Sequence, residues 1–168
     1  MSDYNRTTRE CSVSQLHPEL LRALRNYFQE HQLGDLEAES RMCCETISRK
    51  KNDGGLFSGW NTAEDTTIHT GILLTSQLLI WVRTGDKSGT LLTAANLNHI
   101  SVKQYASLFT RDTGLEVSGY IEASKTAIRG YIGMGPESTA QKFCDEVMQA
   151  INKANPPVQR TWPKWMGR

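Results

Sequence analysis

No stretch of this 168-residue chain approaches the roughly 18 consecutive apolar residues of a membrane-crossing helix. The longest apolar runs, at 72–74 and 78–82, have the length of single strands. An excess of charge of one sign is also missing. Lys and Arg total 19 and Asp and Glu 18, a net charge of +1. That balance lacks the basic excess with which nonspecific nucleic-acid binders hold phosphate backbones, so no nucleic-acid partner is expected. The hydrophobic fraction, 38%, is low, but without high net charge it does not describe a disordered chain. Residues 1–10 are polar and contain no apolar core of a signal peptide, so a cytoplasmic location is expected.

Patterns for catalysis and metal binding are equally scarce. There is no Gly-x-Ser-x-Gly elbow, no His-Glu-x-x-His and no phosphate-binding loop. Gly133-Met134-Gly135 begins like a dinucleotide fingerprint, but Ser138 stands where the third glycine belongs, and no strand follows to complete a βαβ unit. Zinc needs four ligands at workable spacing. His17, His31, His69 and His99 show no clustering, and Cys11, Cys43, Cys44 and Cys144 form no Cys-x-x-Cys. No metal, cofactor or enzymatic activity is expected. The cysteines read as reduced thiols, Cys144 as a small core residue, and Cys43 and Cys44 as pointing to opposite faces of a strand. His69 and His99 read as solvent-facing or locally satisfied, and Glu45 and Asp112 have no evident partner.

What is present is strong periodicity. Residues 1–13 are polar and expected to be loosely ordered. Pro18 fits the first position of a helix, and Leu20, Leu21, Leu24, Tyr27 and Phe28 make one apolar stripe that ends before Gly34. Residues 35–50 admit either helix or strand, with a strand favoured at 40–50 by Thr46 and Ile47. Six more strands follow at about 66–75, 77–84, 90–94, 100–109, 115–121 and 128–134, the last two with a clean period of two. Pro136 fits the start of a second helix, whose stripe is Ala140, Phe143, Cys144, Val147, Met148 and Ile151, and Asn155-Pro156-Pro157 ends it. Seven antiparallel strands curl to cover their own apolar face, and the terminal helix is the available plug for the open end.

Three segments carry binding character. The loop 54–60 presents Leu56, Phe57 and Trp60, which form a binding wedge if exposed and cap the barrel if buried. Arg49, Lys50 and Lys51 make a short basic run, an attraction of about 1 kcal/mol per residue toward an anionic membrane surface. The tail 156–168 combines Trp162 and Trp165 with Arg160, Lys164 and Arg168 and no acid. It suits a membrane interface, a partner's groove or its own domain.

The phrase Gly71-Ile-Leu-Leu-Thr-Ser-Gln-Leu-Leu-Ile-Trp81 is similar to the second hairpin of bacterial pleckstrin-homology-like domains. The order of seven strands and a terminal helix resembles the same superfold over about 115 residues, a span that follows from the 40–154 stretch. The resemblance implies an α+β, mainly β fold: an antiparallel seven-stranded barrel or sandwich plugged by a C-terminal helix, with an extra N-terminal helix. The division is then 1–35 for the polar segment and amphipathic helix, 36–155 for the domain and 156–168 for the tail. It implies a non-enzymatic module that binds a protein partner or a second copy of itself. The phosphoinositide-binding subset carries basic residues in its first two strands. Arg49, Lys50 and Lys51 match the first half, and 66–70 contributes no Lys or Arg to the second. The alternative is a peripheral membrane adaptor that uses Arg49, Lys50 and Lys51 with Arg160 and Lys164 of the tail.

Overall fold

A computed structural model of the protein describes residues 4–51, 64–106, 113–121 and 126–156. The fold is α+β, mainly β, with two antiparallel sheets and a C-terminal helix. The first sheet has the order β1 (Tyr4–Glu10), β2 (Met42–Lys50), β3 (Thr67–Leu74), β4 (Leu78–Gly85) and β5 (Gly89–Asn96). The second has the order β6 (Ile100–Ala106), β7 (Thr113–Ile121) and β8 (Thr126–Met134). Helix α1 is Pro18–Glu30, α2 is the single turn Leu36–Glu39, and α3 is Ser138–Ala154. None of the described helices is long and apolar enough to cross a membrane.

The five-stranded sheet is apolar on both faces, which explains the unbroken run Ile72–Leu73–Leu74. Its inner face sets Met42, Cys44, Ile72, Leu74, Leu79 and Ala95 against Leu115, Val117 and Ile132 of the second sheet and Phe143 and Val147 of α3. Its outer face sets Cys43, Leu73, Ile80 and Val82 against Leu20, Leu24 and Phe28 of α1. Cys43 and Cys44 therefore enter different cores, as strand alternation dictates. The stripe at four-residue spacing in α1 is what the outer face receives. Pro18 occupies the first turn as expected, and after the helix Gln32 and Gly34 turn the chain with φ of 53° and 91°. Thr75 closes the β3–β4 hairpin: its hydroxyl accepts from the amides of Gln77 (3.2 Å) and Leu78 (2.9 Å).

The structure corrects three expectations. Residues 4–10 are not loose but form β1, paired residue for residue with β2 from Tyr4↔Lys50 to Glu10↔Cys44. Their polarity is that of an edge strand, in which only Thr8 is buried. The strands do not close into a seven-stranded barrel. Eight strands lie among the described residues, split five and three, and no ladder joins β5 to β6 or β1 to β8. A 3-10 turn at Leu97–His99 carries the chain from one sheet to the other. Third, α3 begins at Ser138 rather than at Pro136. Glu137 stays extended as the N-cap, and its carboxylate accepts the outward-facing Thr8 amide at 2.9 Å.

Candidate functional site: the cleft between the sheets

The inner face of the five-stranded sheet changes character along its strands. In β4 it reads Leu79, Trp81, Arg83, and in β2 Met42, Cys44, Thr46, Ser48. The apolar end is filled by α3. At the polar end a cavity of about 350 Å³ opens between the sheets, with Arg6, Arg83 and the hydroxyls of Ser48, Thr70 and Thr93 around Trp81. A second cavity of about 280 Å³ adjoins it on the β8 side, bordered by Tyr105 and Thr113. The two share Arg6, Tyr131, Ile132 and Gly133, and among the described residues neither is lined by an acidic residue or a histidine.

Strand register places each of these groups. Arg6 lies opposite Ser48, Thr70 opposite Arg83, and Arg83 opposite Leu91, so one end of the five neighbouring strands carries them all. Gly133 gives Arg6 its room: a Cβ there would stand 2.6 Å from the Arg6 Nε. Partial burial lowers the Arg6 pKa, and the guanidinium remains charged at any physiological pH. At the rim, Tyr105 and Tyr131 pack edge to face with centroids 5.7 Å apart, and Tyr131 is 58% exposed. Planar cations, hydroxyls and an aromatic ring are chemically suited to a carboxylate or similar anion attached to an apolar body.

The sequence-predicted basic run is not a single patch. Arg49 shares the face of Cys43 and borders a separate cavity of about 320 Å³ with Asn5, Thr7 and Ile47. Lys50 points to the opposite face and pairs with Glu64 at 2.6 Å, and Lys51 is exposed beyond the strand end. Leu56, Phe57, Trp60, Arg160, Trp162, Lys164 and Trp165 lie outside the described residues. Sequence reasoning missed Arg6, because 1–13 read as loose. It also missed Arg83, although a cation after Leu79 and Trp81 on one strand face was the available signal.

A second polar cluster contradicts the expectation that Glu45 has no partner. Glu45 is 2% exposed. One carboxylate oxygen accepts from the Arg9 Nε (3.2 Å) and Nη2 (2.5 Å). The other meets the His69 Nδ1 (3.1 Å) and accepts from the His17 amide (3.3 Å). The His17 and His69 rings lie 4.4 Å apart, while His99 sits exposed in the 3-10 turn. Glu45 thus joins β1, β2, β3 and the entrance of α1, and all its contacts are explained by that structural task.

No protein-family model matches the chain, and no curated protein matches it.

Proposed function

We propose that the chain is a non-catalytic, pleckstrin-homology-like binding module that takes up an acidic segment of a protein partner in the cleft between its sheets. The order β2 to β8 followed by α3 supports the superfold reading, with β1 and α1 as additions to it. One observation carries the binding half: two guanidiniums, Arg6 and Arg83, border a cleft with no acidic residue among its described lining, beside Trp81 and Tyr131. Exposed Leu91, Tyr105 and Tyr131 continue the surface outward from it. Tyrosine and arginine are the residues that protein interfaces favour, which favours a polypeptide over a small ion.

The test is selection of phage-displayed random peptides on the full chain, with an Arg83→Glu variant as control. The reading expects enrichment of Asp and Glu next to aromatic residues, and at least a roughly tenfold loss of affinity in the variant, as follows from losing a charge-assisted hydrogen bond. Selected peptides without acids, or binding indifferent to Arg83→Glu, overturn it. Vesicles containing phosphatidylserine serve as the second arm. Salt-sensitive pelleting that Arg83→Glu leaves intact supports the membrane adaptor instead, because exposed charge contacts weaken with ionic strength. A molar mass above that of one chain, lost on changing Tyr131, supports self-association.

A further inference from the structure

Cys11 follows β1 directly, and the register that pairs Glu10 with Cys44 sets Cys11 opposite Cys43. The Cys11 amide donates to the Cys43 carbonyl at 3.1 Å. Cα atoms of such a hydrogen-bonded antiparallel pair stand about 5.5 Å apart, inside the roughly 4.4–6.8 Å that disulfides span. Facing residues share a side of the sheet, and both thiols enter the core under α1, where they interact with one another.

The two sulfurs differ in access and in acidity. Cys43 is buried, whereas Cys11 is half-buried at the sheet edge. Contact with Cys43 and the nearby Arg9 guanidinium hold the Cys11 thiol below its usual pKa. Contact with Cys11 and burial push Cys43 up. The remaining cysteines face the other core. Burial raises Cys44 to about 12 and Cys144 to about 11, and the Cys144 Sγ lies 3.8 Å from the Met134 Sδ. An attacking thiol must be accessible and partly thiolate, and only Cys11 of the four combines these properties.

We propose that Cys11 and Cys43 are a reversible redox pair, oxidised by a peroxide to a cross-strand disulfide. The Cys11 thiolate attacks a peroxide oxygen, the O–O bond breaks, and water or an alcohol leaves after protonation, giving a sulfenic acid. The Cys43 sulfur then attacks the Cys11 sulfur. The S–S bond forms, the S–O bond breaks, and the hydroxyl departs with the Cys43 proton as water. A dithiol restores both thiols by exchange. The disulfide fastens the end of β1, the strand that carries Arg6, to the neighbouring β2.

The experiment treats the full chain with stoichiometric hydrogen peroxide and follows intact mass, free thiols and a non-reducing tryptic map. The expected result is a mass loss of about 2 Da, from the two hydrogens removed, and a fall in free thiols from four to two. The map is expected to link peptide 10–22 to peptide 42–49 through Cys43, with dithiothreitol reversing the change. Cys11→Ser abolishes the link, and Cys43→Ser leaves Cys11 as a sulfenic acid that dimedone traps. A link to Cys44, a Cys11–Cys11 bond between two chains, or conversion of Cys11 to sulfinic acid without a link each overturns the proposal. If the buried Cys43→Ser change prevents folding, Cys11→Ser decides alone: an unchanged loss of two thiols in that variant is the contrary result.

Discussion

The Thr8 hydroxyl accepts the Gly135 amide hydrogen at 2.8 Å and stands 2.8 Å from the Thr46 hydroxyl, so one buried side chain spans the seam between the two sheets. No strand ladder does this work, since β1 and β8 are not paired. Thr8→Val keeps the shape and removes the acceptor, leaving the buried Gly135 amide unsatisfied. The expected loss is about 1–3 kcal/mol by urea unfolding, with Thr8→Ser near wild type. A Thr8→Val protein as stable as wild type contradicts this role.

Asp65 holds the β4–β5 turn. Its carboxylate accepts from the Lys87 (2.6 Å) and Ser88 (2.9 Å) amides, and these bonds with the Ser88 side chain lower its pKa to about 2. A depressed folded-state pKa gives stability that is present above the unfolded value near pH 4 and fades as pH falls toward about 2. Asp65→Asn is therefore expected to lower stability at neutral pH and to flatten the acid limb between about pH 5 and 2. Parallel acid limbs in both proteins are the contrary outcome.

Two glycines are expected to respond differently to alanine. At Gly114, φ is 147° and a Cβ would lie 2.0 Å from the Ile132 carbonyl oxygen, part of the facing backbone. Gly114→Ala is expected to cost at least about 2 kcal/mol. At Gly133 the obstacle is the flexible Arg6 side chain. Gly133→Ala is expected to fold with a smaller loss and to weaken peptide binding by moving Arg6. Thermal melts and the selected peptide measure the two effects separately.

Leu24 tests whether α1 is integral to the fold. It is fully buried between α1 and the outer sheet face. Leu24→Ala is expected to lose about 2–5 kcal/mol, comparable with a cavity in the inner core. A loss under about 0.5 kcal/mol, the range of ordinary surface changes, is what a loosely appended helix gives.

Periodicity carried most of the fold. The α1 stripe, the β3–β4 hairpin and the alternation of β7 and β8 were legible because each is written in neighbouring residues. Strand β1 was not, since a polar edge strand with a single buried threonine has the composition of a disordered terminus. The start of α3 was misplaced because Glu137 is claimed by Thr8, far away in sequence. Glu45 looked partnerless for the same reason: Arg9, His17 and His69 come from three other segments. In the site, the alternation that sends Cys43 and Cys44 apart also separates Arg49 from Lys50, while Arg6 and Arg83 border one cavity only once the sheet is assembled.

The most direct test of the binding account is an amide NMR titration of the full chain with an acidic peptide selected on it. The account predicts shifts concentrated at Arg6, Ser48, Arg83 and Gly130 to Gly133, absent in Arg83→Glu, with the exposed side of α1 unmoved. Shifts confined to Arg49–Lys51, or spread without reaching β1, β4 and β8, contradict it.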